Sequence, residues 1–263
     1  MFRSLTPVVK NLLIITIGVF VITSYLLPQL KGWFALYYIN SDRFEPFQFL
    51  TYMFMHADFW HLFSNMLGLF IFGPMLEQFL GGKKVVILWM ICGVGSGILY
   101  SGYTFYRMNQ FDTQVERFYN DPSPEEFNRF VSNNRHHFRS EIYDFIDDYD
   151  RNPEDDRYEG IAKNYMIKIR NNVANIPMVG ASGALFGVLI AFGMLFPNTQ
   201  LFLLFPPMPV KAKYLVLFYG LYTVYNIIIS RPTDNVAHFA HLSGLVIGFI
   251  LITYWKKSRD SFY

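Results

Sequence analysis

Apolar runs long enough to cross a membrane recur along this chain, separated by short polar connections and by one long polar stretch. A helix that spans the hydrocarbon core needs about 20 mostly apolar residues. Six segments qualify: Leu12–Leu30, Phe59–Leu80, Val85–Phe105, Met178–Phe196, Tyr214–Ser230 and Val236–Trp255. The pattern predicts an all-α polytopic membrane protein. A bundle of six transmembrane helices is expected from residues 1–106 and 178–263, with a helical insert at 107–177 between the third and fourth spans.

The insert has a pattern of its own. Ser123-Pro124-Glu125-Glu126 has the form of a helix start, with serine as N-cap, proline at the first helical position and glutamate completing a capping box. Phe127, Phe130, Val131, Phe138, Ile142, Phe145, Ile146 and Tyr149 then recur mostly three and four apart, which predicts a long amphipathic helix. Its apolar face is expected to pack on the insert itself, on the membrane or on a substrate. Asp148, Asp150, Asn152, Asp156 and Glu159 echo the oxygen-ligand spacing of a calcium loop, but Pro153 stands where such a loop needs glycine. A solvated acidic helix end is the other reading of the same residues.

Charge adds an orientation. Cationic residues collect in four places: Arg3 and Lys10 before the first span, Lys83 and Lys84 between the second and third, Lys211 and Lys213 before the fifth, and Lys256, Lys257 and Arg259 after the sixth. With six spans all four groups fall on one side, which the positive-inside bias makes cytoplasmic. Both termini are then inside and the insert is external. The first apolar run resembles a signal peptide, but no small-residue cleavage site follows, so an uncleaved span is expected. Between the first two spans, Lys31–Asp58 is dense in aromatic rings, including Trp33, Tyr37, Tyr38, Phe47 and Tyr52, a composition suited to the membrane–water interface.

Composition agrees with this picture. Apolar residues make up 52% of the 263, aromatics 19%, and mean hydropathy is +0.23. A net charge of +2 gives no field for nucleic acid. The insert, with ten Lys/Arg and fourteen Asp/Glu, is acidic. Cys92 is the only cysteine, so no intramolecular disulfide forms, and its apolar surroundings suit a small buried hydrophobe.

Polar side chains inside apolar segments are costly and mark candidate sites. Gly180-Ala181-Ser182-Gly183 leads into the fourth span, where glycines allow a tight turn and free N–H groups at a helix start can stabilise an oxyanion. Taken alone, the motif fits a small-residue packing patch between membrane helices better than it fits a nucleophile. In the sixth span His241 precedes Gly244 and Gly248, a small-xxx-small face that brings a neighbouring helix close. His238 lies one turn before it. In the second, His61 and Asn65 are four apart and share a face, an imidazole and an amide able to donate to a developing oxyanion.

Together these three elements resemble the rhomboid family of intramembrane serine proteases. The resemblance rests on Gly180-Ala181-Ser182-Gly183, on His61-xxx-Asn65, and on Ala240-His241-xx-Gly244-xxx-Gly248, in the family's order and spans, and covers roughly residues 10–106 and 178–256. Pro209-Val210-Lys211-Ala212-Lys213 also looks like the family. The resemblance implies that Ser182 is the nucleophile and His241 its general base. It likewise implies an oxyanion hole of His61, Asn65 and the Ser182 N–H, with Gly180, Gly183, Phe186, Gly244 and Gly248 packing the site. A transmembrane protein substrate, the lipid bilayer as medium, a bacterial inner (cytoplasmic) membrane location and no metal or cofactor are expected with it. Phe186 stands where the family's imidazole-stacking ring falls and lacks a hydroxyl. Phe47-Gln48 replaces a common Trp-Arg pair, and the insert has no counterpart in minimal bacterial members. Two rival classes are a metal-binding membrane protein using His56, His61, His238 and His241, which lacks the His-Glu-x-x-His signature, and a non-catalytic relative that binds membrane clients.

Overall fold

The structure, a computed structural model, describes residues 5–202, 208–229 and 236–260. Arg3, and Ser230 at the end of the fifth expected span, lie outside the described residues. Helix α1 (Pro7–Val21) continues through a π-turn (Ile22–Leu26) into the short α2 (Gln29–Phe34). A connection holding α3 (Gln48–Thr51) and a 3-10 turn (Tyr52–Phe54) leads to α4 (Phe59–Leu80) and α5 (Gly82–Asn120). Three polar helices follow: α6 (Pro124–Asn133), α7 (Glu141–Arg151) and α8 (Asp156–Ala174). The chain then forms α9 (Ser182–Leu195), a two-stranded antiparallel hairpin of β1 (Gln200–Phe202) and β2 (Pro209–Lys211), α10 (Ala212–Ile229) and α11 (His238–Asp260).

Among the described residues five helices are long and apolar enough to span a membrane, and α9 is a shorter apolar helix. This is an integral, all-α polytopic membrane protein. Helix α9 lies at the centre, packed on α4, α5, α10 and α11, with Ala184, Val188, Ala191 and Phe192 buried among them.

The N-terminal helix is held by a charge. Thr6 supplies no side-chain cap to α1; instead the Glu77 carboxylate, from the last turn of α4, accepts hydrogen bonds from Val8 N–H (3.0 Å) and Val9 N–H (2.9 Å). A carboxylate is well placed there, because the first-turn N–H groups have no intrahelical partner and the helix dipole is positive at that end. Helix α4 ends at Gly81, whose φ of 84° suits glycine.

Four element boundaries differ from the sequence expectation, the first being the N-terminal span, which runs Pro7–Leu26 instead of Leu12–Leu30. No proline interrupts the chain between Val85 and Asn120, so the third span runs on as α5, about 58 Å long, into the insert instead of stopping at 105. The expected single amphipathic helix is two, α6 and α7, broken by a 3-10 turn at Arg135–His137. Their apolar faces meet those of α5 and α8 in a core of Phe111, Phe118, Phe127, Phe130, Ile142 and Met166, so the insert packs on itself. An Arg170–Asp112 pair (2.7 and 3.2 Å) ties α8 to α5. Ser123 caps α6 by accepting from Glu126 N–H (3.3 Å), while the Glu126 carboxylate takes Arg129 (2.6 Å). The fourth span begins at Ser182, four residues later than expected.

The acidic run is engaged at helix ends. Asp148 pairs with Arg151, Asp155 caps α8 and pairs with Arg157, and Glu159 pairs with Lys163. Among the described residues no three His, Cys, Asp or Glu side chains converge as metal ligands.

The Glu77 cap carries a direct expectation. Glu77→Ala lowers stability by about 2–3 kcal/mol, the loss of two charge-assisted hydrogen bonds to a helix start, and Glu77→Gln, which keeps one acceptor, loses less. Thermal unfolding of the purified protein in detergent measures both; an unchanged midpoint for Glu77→Ala would show that α1 needs no cap.

Candidate active site

Ser182 and His241 meet. The Ser182 hydroxyl and His241 Nε2 are 2.8 Å apart, although 59 residues separate them. Small residues produce the approach. A Cβ on Gly244 would collide with the Gly183 carbonyl, and one on Gly248 would come within 2.9 Å of the Gly187 Cα. Backbone therefore lies directly on backbone along α9 and α11, and Gly183-xxx-Gly187 answers Gly244-xxx-Gly248. Gly244-xxx-Gly248 is the half of this pairing expected from the sequence; the matching four-residue spacing of Gly183 and Gly187 is the signal for the other half. Phe186, one turn after Ser182, stacks on the His241 ring at 4.3 Å and 11°, with Tyr219 edge-on behind it.

Residues 176–181 are not helical and are paired to the first connection, which is why α9 starts late. Leu36 and Met178 exchange two backbone hydrogen bonds (2.9 and 2.8 Å), and Gly180 N–H donates to the Tyr52 carbonyl (3.0 Å). The first connection thus holds the strand that delivers Ser182. That connection is itself anchored by Gln48, which is buried: its amide donates to the carbonyls of Trp33 (3.0 Å) and Arg43 (2.8 Å) and accepts from Tyr37 N–H (3.3 Å). Tyr52 is fully buried, and its phenol donates to the Gly93 carbonyl (2.7 Å).

Gly180 has φ +118°, a conformation L side chains rarely adopt, and the His61 ring occupies the space of its absent side chain: a Cβ would sit 2.6 Å from His61 Nε2. His61 is placed by α4, whose N-cap Asp58 accepts from the His61 N–H (2.9 Å). Its Nδ1 accepts from Ala57 N–H (3.4 Å), which leaves the proton of the neutral ring on Nε2, the nitrogen facing Gly180. Asn65 is buried one turn on, and one amide N–H of its side chain donates to the His61 carbonyl (2.7 Å). The N-cap of α9 is Ala181, which offers no side-chain acceptor, so the backbone donors of the first turn are not capped by a side chain.

The four histidines of the metal alternative are split. His56 and His61 form one edge-to-face pair (5.1 Å), and His238 and His241 another (5.9 Å). His56 lies in the connection before α4 and is fully buried. Burial, with the His61 ring beside it, lowers its pKa to about 3.

A family model described as the rhomboid domain matches residues 43–110 and 158–258, more than half of the chain. The unmatched stretch between them contains α6 and α7. Two curated proteins, each named Rhomboid protease GlpG and coming from two strains of Klebsiella pneumoniae, are 30% identical over 94 residues. That stretch is 35% of this chain and 34% of each relative, so the match spans about a third of the length of those proteins.

Two outcomes follow from the packing. Gly180→Ala destabilises the protein by about 2 kcal/mol or more, through a strained backbone and a collision with His61. Gly160→Ala, in open space on α8, is instead stabilising by about 0.5–1 kcal/mol. Equal thermal midpoints for the two variants would refute the packing at Gly180. For His56, the folded state binds fewer protons than the unfolded state between the folded value of about 3 and the ordinary value of 6.5. Its contribution to stability therefore declines as pH falls from about 6.5 towards about 3. Unfolding midpoints across that window drop more steeply for wild type than for His56→Gln; parallel curves would remove His56 from the acid response.

Proposed function

The chain belongs to the rhomboid family, and on that premise we propose that it is an intramembrane serine endopeptidase, cleaving peptide bonds in or near the transmembrane segments of other membrane proteins. The observation that carries the proposal is the 2.8 Å approach of Ser182 Oγ to His241 Nε2. A serine hydroxyl is a weak nucleophile until a neighbouring base takes its proton. His241 accepts that proton as Ser182 Oγ bonds to the scissile carbonyl carbon, and the carbonyl oxygen becomes an oxyanion. His61 Nε2–H, the second amide N–H of Asn65 and the Ser182 backbone N–H donate to it. Collapse breaks the C–N bond, and His241 gives its proton to the leaving amine. Water then repeats the sequence on the acyl-enzyme, releasing a carboxylic acid and restoring Ser182. Phe186 holds the imidazole plane throughout. No step calls for a metal or an organic cofactor.

The proposed setting is a bacterial inner membrane, with both termini cytoplasmic and residues 107–177 external, as a polar unit appended to the membrane part formed by 1–106 and 178–263. The length of α9 supports a recessed site. Its 14 residues extend about 21 Å against a core of about 30 Å. Ser182 then lies about 9 Å below the external boundary if α9 ends at the internal one. Substrates are single-span proteins whose helix unwinds enough to present extended backbone.

Cleavage of a model transmembrane substrate by the reconstituted protein tests this. Ser182→Ala and His241→Ala abolish cleavage, whereas His61→Ala and Asn65→Ala each lower kcat by about 10²–10³. Undiminished cleavage by Ser182→Ala would overturn the assignment, and loss of wild-type activity to a chelator would favour the metal-binding alternative.

A further inference from the structure

The short segment in front of α4 connects a lysine of α2 to the imidazole that faces Gly180. Residues 55–58 are not helical, and among the described residues Ala57 makes no hydrogen bond to another backbone group. Side chains take both of its polar groups instead. Its carbonyl accepts from Lys31 Nζ (2.7 Å), and its N–H donates to His61 Nδ1 (3.4 Å). Asp58 completes the bend, its carboxylate accepting from the His61 N–H (2.9 Å). The bend is therefore tied to the first connection by Lys31 and to α4 by Asp58.

Three neighbours orient the His61 ring. The Ala57 N–H fixes its Nδ1 side, the His56 ring meets it edge to face at 5.1 Å, and Gly180 leaves it the space of a missing Cβ. Ala57 and His56 both belong to the segment that Lys31 holds. An ammonium suits this contact, because a charge-assisted donor is stronger than a neutral one and its four-carbon stem reaches across from α2. Burial lowers the Lys31 pKa, with Asp58 acting in the opposite direction, as expected of an ammonium that has exchanged part of its hydration for the Ala57 carbonyl. The placement matters because an oxyanion donor works only when aimed at the oxyanion, and a shift of about 1 Å costs up to about 10²-fold in rate.

Building on the protease assignment above, we infer that Lys31 is a positioning residue for the reaction: through Ala57 it holds the bend that keeps the His61 Nε2–H aimed at the oxyanion. It acts at a distance from the substrate and donates nothing to the reacting atoms itself. The test measures kcat and KM for a model transmembrane substrate with the full-length protein in vesicles, for Lys31→Met, Lys31→Arg, His61→Ala and the double variant Lys31→Met/His61→Ala. Lys31→Met lowers kcat by about three- to tenfold and leaves KM unchanged, the mark of an interaction made only in the transition state. That is less than the loss of about 10²–10³ expected when an oxyanion donor is removed outright. Lys31→Arg, which can still donate to the Ala57 carbonyl, keeps most of the wild-type kcat. In the His61→Ala background Lys31→Met costs nothing further, because the group it positions is already gone.

A kcat for Lys31→Met within twofold of wild type overturns the inference. So does an equal loss with and without His61, or a change confined to KM, either of which makes Lys31 a general structural or substrate-binding residue. If Lys31→Met does not fold, Lys31→Gln gives the same comparison in both backgrounds, and failure of both to fold assigns Lys31 to stability instead. Full activity of His61→Ala would remove the oxyanion donor and with it this role for Lys31. Absence of cleavage by wild type would refute the protease assignment itself.

Discussion

Everything at the site depends on how closely two helix backbones approach. Apolar side chains have little to gain by leaving lipid for each other, so helices in a membrane associate through close packing and polar contacts. Along α9 and α11 the closest packing is used: Gly183 and Gly187 lie against Gly244 and Gly248 with no side chain between. An alanine at Gly244 or Gly248 would push α11 away from α9 and lengthen the 2.8 Å that separates Ser182 from His241, whereas one at Gly183 or Gly187 would collide with Ser96 or Cys92 of α5. The glycines therefore set a distance as well as a contact. Cys92 and Ser96 of α5 lie under Gly187 and Gly183, closing the third side of the same junction.

The second constraint is the late start of α9. Two backbone hydrogen bonds to Leu36 and one to Tyr52 keep residues 178–180 out of helix, and the turn at Gly180 then directs the chain into the helix at Ser182. The serine consequently occupies the first helical position, where backbone donors are unpaired, and His61 fits over the one residue that lacks a side chain to obstruct it. A regular helix begun at Met178 would have consumed those donors in its own hydrogen bonding.

Much of this was legible in the sequence. The apolar run Phe59–Leu80 is the helix observed, because Asp58 caps it and Gly81 ends it. Ser182, His241, His61 and Asn65 are each marked by being polar in apolar surroundings; the structure joins Ser182 to His241, seats the His61 ring against Gly180 and bonds Asn65 to the His61 carbonyl. What escaped was non-local. Hydropathy changes at residue 106, but polarity does not end a helix, so α5 continues. The apolar spacing across α6 and α7 could not reveal the turn between them, since both halves face the same core. Glu77 has no sequence pattern that connects it with Val8, because its partners are N–H groups common to every residue. The pairing of Leu36 with Met178 is hidden for the same reason.

Gln48 holds the first connection through three hydrogen bonds made by a neutral amide. A guanidinium buried in the same place would need a counter-charge beside it. An amide has no net charge to screen and no proton to lose. The clamp on the strand before Ser182 is thus indifferent to the salt of the surrounding medium, and its strength depends only on the water excluded around it.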